Sequence, residues 1–163
     1  NYQVIASSVT ITEERKATMD FSEPYVNAGQ VLVVRKETTG VNSLADMIGK
    51  KAGAQIGTTG AIEISKVAGV ELKTYDEIGL AFEDLVNGNI DGVVADSPIA
   101  ANFALQNPSY KDRLMIAGEP FTDEWLGFVF KKGDTKTQKL FNEGLAKVKE
   151  SGKLDELVQK WLQ

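Results

Sequence analysis

No cysteine and no histidine occur among the 163 residues. Without cysteine the chain forms no disulfide and no thiolate metal site, a composition compatible with reducing and oxidising compartments alike. Without histidine it lacks the commonest general base, the usual imidazole ligand and the side chain that titrates near neutrality. Basic blocks are missing too: 18 Lys and Arg stand against 23 Asp and Glu, a net charge of −5. A polyanion finds little electrostatic footprint on such a chain, so no nucleic-acid partner is expected. Apolar runs fall short of the roughly 18 to 20 residues that span a bilayer. Acidic residues show no calcium or zinc ligand spacing, and no metal or cofactor is expected.

What is present is ordinary globular composition, 42% hydrophobic and 25% charged, enough for one domain or two small lobes with real cores. A strand opens almost at once, at Val4 to Ala6. So early a start predicts that further residues, a leader among them, preceded Asn1 in the precursor. Thr12 reads as an N-cap with Glu13 and Glu14 in the first helical turn. Phe21 to Tyr25 breaks that helix, and Gln30 to Val34 reads as a buried strand.

From residue 41 strands and helices alternate: Ala52 to Ile56, Thr59 to Ala68, Leu72 to Tyr75, Glu77 to Asn87 with Asp76 as its cap, Ile90 to Ala95, Pro98 to Gln106, and Leu114 to Ala117. This order predicts an α/β fold with a mostly parallel sheet covered by helices on both faces. Beyond Pro120 come a strand at Leu126 to Phe130 and two amphipathic helices. The first repeats Leu140, Phe141, Leu145 and Val148, the second Leu154, Leu157, Val158 and Trp161. The expected organisation is 1–36 as a partial first lobe with a hinge strand, 37–122 as a complete second lobe, and 123–163 as the return strand and terminal helices.

Three stretches carry chemistry. In Ser8 to Arg15, the Arg15 fork can hold both oxygens of a carboxylate and Thr10 can add a hydroxyl; alternatively Arg15 is a surface residue pairing with Glu13 or Glu14. Gly57-Thr58-Thr59-Gly60 joins a strand to a helix, where free N–H groups can meet an anion, or it is a plain turn. It lacks the Gly-Lys-Ser/Thr ending of a phosphate loop. Asp96 ends the strand of Val93, Val94 and Ala95, at the edge where open α/β sheets bind ligands. There it can accept from a ligand ammonium or cap the next helix. Trp125 and Trp161 read as packing residues.

In their order and spacing these segments resemble the polar amino-acid branch of the extracytoplasmic solute-binding proteins of ABC importers, with the type II periplasmic binding protein fold. The resemblance rests on Ser8 to Arg15, on Asp20 to Tyr25 (DFSEPY), Gln30 to Lys36 (QVLVVRK), Gly57 to Gly60, Asp91 to Asp96 (DGVVAD) and Leu126-Gly127. Ser8 stands where glycine is common and Leu126 where tyrosine is.

The resemblance implies one complete three-layer lobe and an incomplete first lobe that lacks its N-terminal strands and helices. It also implies a free amino acid as ligand, taken through backbone groups near Ser8, the Thr10 hydroxyl, Arg15, and Thr59 or Gly60 for the α-carboxylate, with Asp96 for the α-ammonium. Closure of the lobes on the ligand, docking on a membrane permease, and a periplasmic or extracellular, lipid-anchored setting are further implications. So is completion of the first lobe by the missing segment or by a second copy through swapping. Ile56, Ala95 and Trp125 are expected at the pocket edges, and their lack of charge points to glutamine or another neutral polar ligand. A sensory domain of a receptor or kinase, a non-binding fragment and, last, a dehydratase on the same fold are the alternatives.

Overall fold

The computed structural model describes residues 2–162, apart from the Trp161 side chain. In chain order the elements are β1 (Val4–Thr10), α1 (Glu13–Thr18), β2 (Met19–Phe21), β3 (Val26–Asn27), β4 (Gln30–Arg35), a 3-10 turn (Leu44–Met47), β5 (Lys51–Gln55), α2 (Thr59–Lys66), β6 (Glu71–Tyr75), α3 (Ile78–Val86), β7 (Gly92–Asp96), α4 (Ser97–Ala101), β8 (Leu114–Ala117), β9 (Trp125–Lys131), α5 (Thr135–Glu150) and α6 (Lys153–Trp161). They form two compact units, one of Asn1–Ala28 with Asp123–Gln163 and one of Gly29–Thr122.

The second unit is a three-layer sandwich on a five-stranded sheet of order β6-β5-β7-β4-β8. β4 reads Gln-Val-Leu-Val-Val-Arg with no polar alternation, as a strand covered on both faces does. Val31 and Val33 pack with Phe82, Leu85 and Val93 under α3 and α4. Leu32 and Val34 pack with Ala54, Ile64 and Val94 under α2.

Four expectations are corrected here. The sheet is mixed, because β5 runs parallel to β6 and β7 whereas β4 is antiparallel to β7 and β8. Antiparallel pairing of β4 with β8 brings the unit's entry and exit together, and Gln30 bonds there to both Phe121 and Thr122. The boundary falls before Gly29, not after residue 36, since β4 is buried inside this sheet. Finally, Glu77 takes the N-cap position of α3 in place of Asp76, and the helix begun at Ser97 widens from Asn102, where the Asn107 N–H bonds Asn102 O at 2.8 Å.

In the first unit β9 is the hub, antiparallel to β1, β2 and β3. The DFS segment explains itself locally. Asp20 accepts from Lys132 Nζ at 2.8 Å and from the Gly133 N–H at 2.7 Å, while Ser22 Oγ accepts from Phe128 N at 3.0 Å. Tyr25 stacks on Phe128 at 4.8 Å, and Phe141 of α5 meets Phe128 and Phe130 edge-on at 5.4 Å. Asp134 caps α5, and Gly152 at φ +71° turns the chain into α6. Leu140, Val148 and Leu157 remain partly exposed around an apolar groove of about 450 Å³. The packing expectation for Trp161 lies outside the described residues.

Candidate functional site

Because β5 and β7 are parallel, their carboxyl ends share one edge of the second unit's sheet. β5 leads through Gly57, at φ +73°, into α2, and Thr58 caps that helix by accepting from Ala61 N. Thr59 and Gly60 are thus its first two residues, where backbone N–H groups and the helix dipole favour an anion. β7 delivers Asp96 to the same edge. Asp96 occupies the N-cap position of α4, yet its side chain makes no capping bond there. Instead Oδ1 accepts from Gln30 Nε2 at 2.6 Å, and the same amide nitrogen donates to Thr59 Oγ1 at 3.2 Å. Thr59, Gly60 and Asp96 are therefore brought together, and Gln30 joins them. Ile56 flanks the turn and is 61% exposed.

Ser8, Thr10 and Arg15 gather in the first unit. The β1–β9 register slips between Ile5 and Val9, and Ser8 in that bulge has φ +50°. Burial raises the pKa of the neighbouring Tyr25 phenol, an effect that the Ser8 backbone only partly offsets. Arg15 lies in α1 behind the Thr12 cap and donates from Nη1 to Thr10 O at 2.9 Å. Thr10 is buried, and its hydroxyl donates to Glu124 Oε2 at 2.9 Å. That proton is committed to Glu124, so toward any other group the Thr10 oxygen acts as an acceptor in this geometry. Trp125, 46% exposed, borders a polar cavity of about 530 Å³ with Asp20, Lys16 and Lys132.

Two members of these clusters escaped the sequence reading. Gln30 had a weak signal as the polar residue opening an apolar run, but only the register sets it opposite Asp96. Glu124, a buried carboxylate, had none. Among the described residues no group of three or more acidic side chains is arranged to hold a metal ion, and no helix is long and apolar enough to cross a membrane.

The family model of bacterial extracellular solute-binding proteins, family 3, matches residues 1–163. The chain belongs to that family. It is 36% identical over 163 residues to a probable histidine-binding protein of Neisseria gonorrhoeae, covering 97% of this chain and 60% of the relative. Identity with the ABC transporter glutamine-binding protein GlnH of Bacillus subtilis (strain 168) is 35% over 160 residues, covering 97% and 57%. Among solved structures, the P235GK mutant of ArgBP from T. maritima superposes with a TM-score of 0.90 at 42% identity, covering 98% of this chain and 68% of that one. An ancestral arginine-binding protein bound to glutamine gives 0.91 at 39%, covering 98% and 70%. The fold of this family member is accordingly the periplasmic binding protein type II fold, with one lobe partial. The chain spans about three fifths of the length of the curated relatives it matches.

Proposed function

We propose that this solute-binding protein takes a free α-amino acid, glutamine or another polar one, and presents it to the membrane permease of an ABC importer outside the cytoplasm, without transforming it. The observation that carries the reading is Asp96: a carboxylate at the strand-end edge, in an N-cap position but not capping, beside the N-terminus of α2. An α-ammonium is the complement of Asp96, and an α-carboxylate is the complement of Arg15 and of the Thr59–Gly60 turn. The names of the relatives, with histidine, glutamine and arginine as ligands, support the ligand class.

The test is isothermal titration of the folded chain with the twenty amino acids. Saturable binding of at least one is expected. Asp96→Ala and Arg15→Ala should each weaken it by about 2–5 kcal/mol, the cost of leaving one charge of a desolvated pair without its partner. No heat with any of the twenty, or binding untouched by both substitutions, would overturn the proposal.

A further inference from the structure

Gln30 opens β4 with a fully buried side chain, directly opposite Asp96 in the antiparallel register. Its amide nitrogen has two N–H bonds, and Asp96 Oδ1 at 2.6 Å and Thr59 Oγ1 at 3.2 Å take both. Its Oε1 is a buried acceptor with no hydrogen-bond partner. That oxygen lies against Gly60, where an added Cβ would come within 2.8 Å of it. Turning the amide over would set Oε1 against the Asp96 carboxylate, acceptor to acceptor, so the charge dictates the orientation and leaves the oxygen orphaned. An orphaned buried acceptor is destabilising, because it has given up its water and gained no partner. The next four residues of β4, Val31 to Val34, are all buried and apolar, and another apolar side chain at position 30 would fill the space without that cost.

We infer that Gln30 is a positioning residue for the amino-acid site, fixing the direction in which the Asp96 carboxylate and the Thr59 hydroxyl meet a ligand. The inference rests on the proposed function. By donating to Oδ1, Gln30 restrains the carboxylate without neutralising it. By donating to Thr59 Oγ1, it ties the first residue of α2 to the same amide that holds Asp96. A chiral α-carbon makes direction measurable. When the acceptor of the ammonium is fixed, exchanging the hydrogen and side chain of the ligand misplaces one of them, so L and D forms are told apart. Loosened packing alone weakens both enantiomers in proportion.

The experiment measures affinities for the L and D forms of glutamine, arginine and histidine in the wild-type chain, Gln30→Met and Gln30→Asn. Asn keeps an amide but is one methylene short, and serves should the Met variant not fold. In parallel, the Gln30 side-chain amide is followed by 15N–1H spectroscopy with and without Asp96→Asn. Expected are a fall of at least about tenfold in L affinity, a smaller fall for D, and an amide resonance displaced by Asp96→Asn. Equal losses for both enantiomers, or none, with wild-type binding intact, would overturn the positioning role and leave the binding function standing. A wild-type chain that binds none of the three would overturn both, while the amide resonance would still report whether the Gln30–Asp96 bond exists.

Discussion

Ser8 holds the left-handed φ of +50° in the β1 bulge, where every other positive φ among the described residues belongs to a glycine. A side chain in that region costs roughly 1 kcal/mol or more, and Cβ removal relieves it, offset in part by the freer unfolded chain. Ser8→Gly should therefore raise stability by up to about 1 kcal/mol in urea melts, whereas Ser8→Val should lower it. Asp84 is the centre of a second local device. It accepts from Lys73 Nζ at 2.6 Å, from Asn89 Nδ2 at 2.9 Å and from the Tyr75 hydroxyl at 2.7 Å. The hydrogen bond from Lys73 first, then those from Asn89 and Tyr75, hold its carboxyl well below the usual carboxylate range. A depressed pKa stabilises the fold above the ordinary value of about 4 and loses that contribution as the pH falls toward the folded one. Asp84→Asn should cost on the order of 1 kcal/mol at pH 7, the scale of partly exposed networks, and the gap to wild type should close on acidification below about pH 4. A gap constant from pH 7 to pH 3 would show that the carboxylate's charge contributes nothing.

At the scale of the element, the start of α2 shows how one residue sets a close approach. A Cβ at Gly60 would stand 2.8 Å from Gln30 Oε1 and 3.1 Å from Val94 O, so a larger residue 60 makes the Gln30 amide move and the helix ease away from β7. Gly60→Ala should cost about 1–3 kcal/mol, the usual penalty for overpacking, and thermal melts that matched wild type would show that the helix tilts away freely. The sequence placed this turn, the Thr12 cap, the core of β4 and the limits of β8 well, because caps, glycines and β-branched runs act locally. It misjudged whatever depends on pairing: the antiparallel place of β4, and through it the unit boundary and Gln30, are set by register between residues some sixty positions apart. Likewise the position of Asp96 after its strand favours a cap over a ligand contact, and only Gln30, supplied by another strand, holds its side chain out of the capping geometry.

Across the whole molecule the cores are unequal. The second unit buries aliphatic side chains on both faces of its sheet. In the first, Phe21, Ala28, Leu126, Val129, Phe130 and Leu145 are the buried apolar residues among those described, while the middle of β1 is exposed. Burial dominates stability, so the first unit should unfold at lower denaturant. Both tryptophans belong to that unit, which makes the two separable by spectroscopy. Tryptophan emission in urea should pass its midpoint before far-ultraviolet circular dichroism completes its change. Phe82→Ala, which removes a fully buried ring stacked on Phe103 at 4.2 Å, should cost about 3–5 kcal/mol. That loss should shift the later transition and leave the tryptophan midpoint in place. Coincident curves that move together in Phe82→Ala would mean that the two units unfold as one, with the large core sustaining the small one.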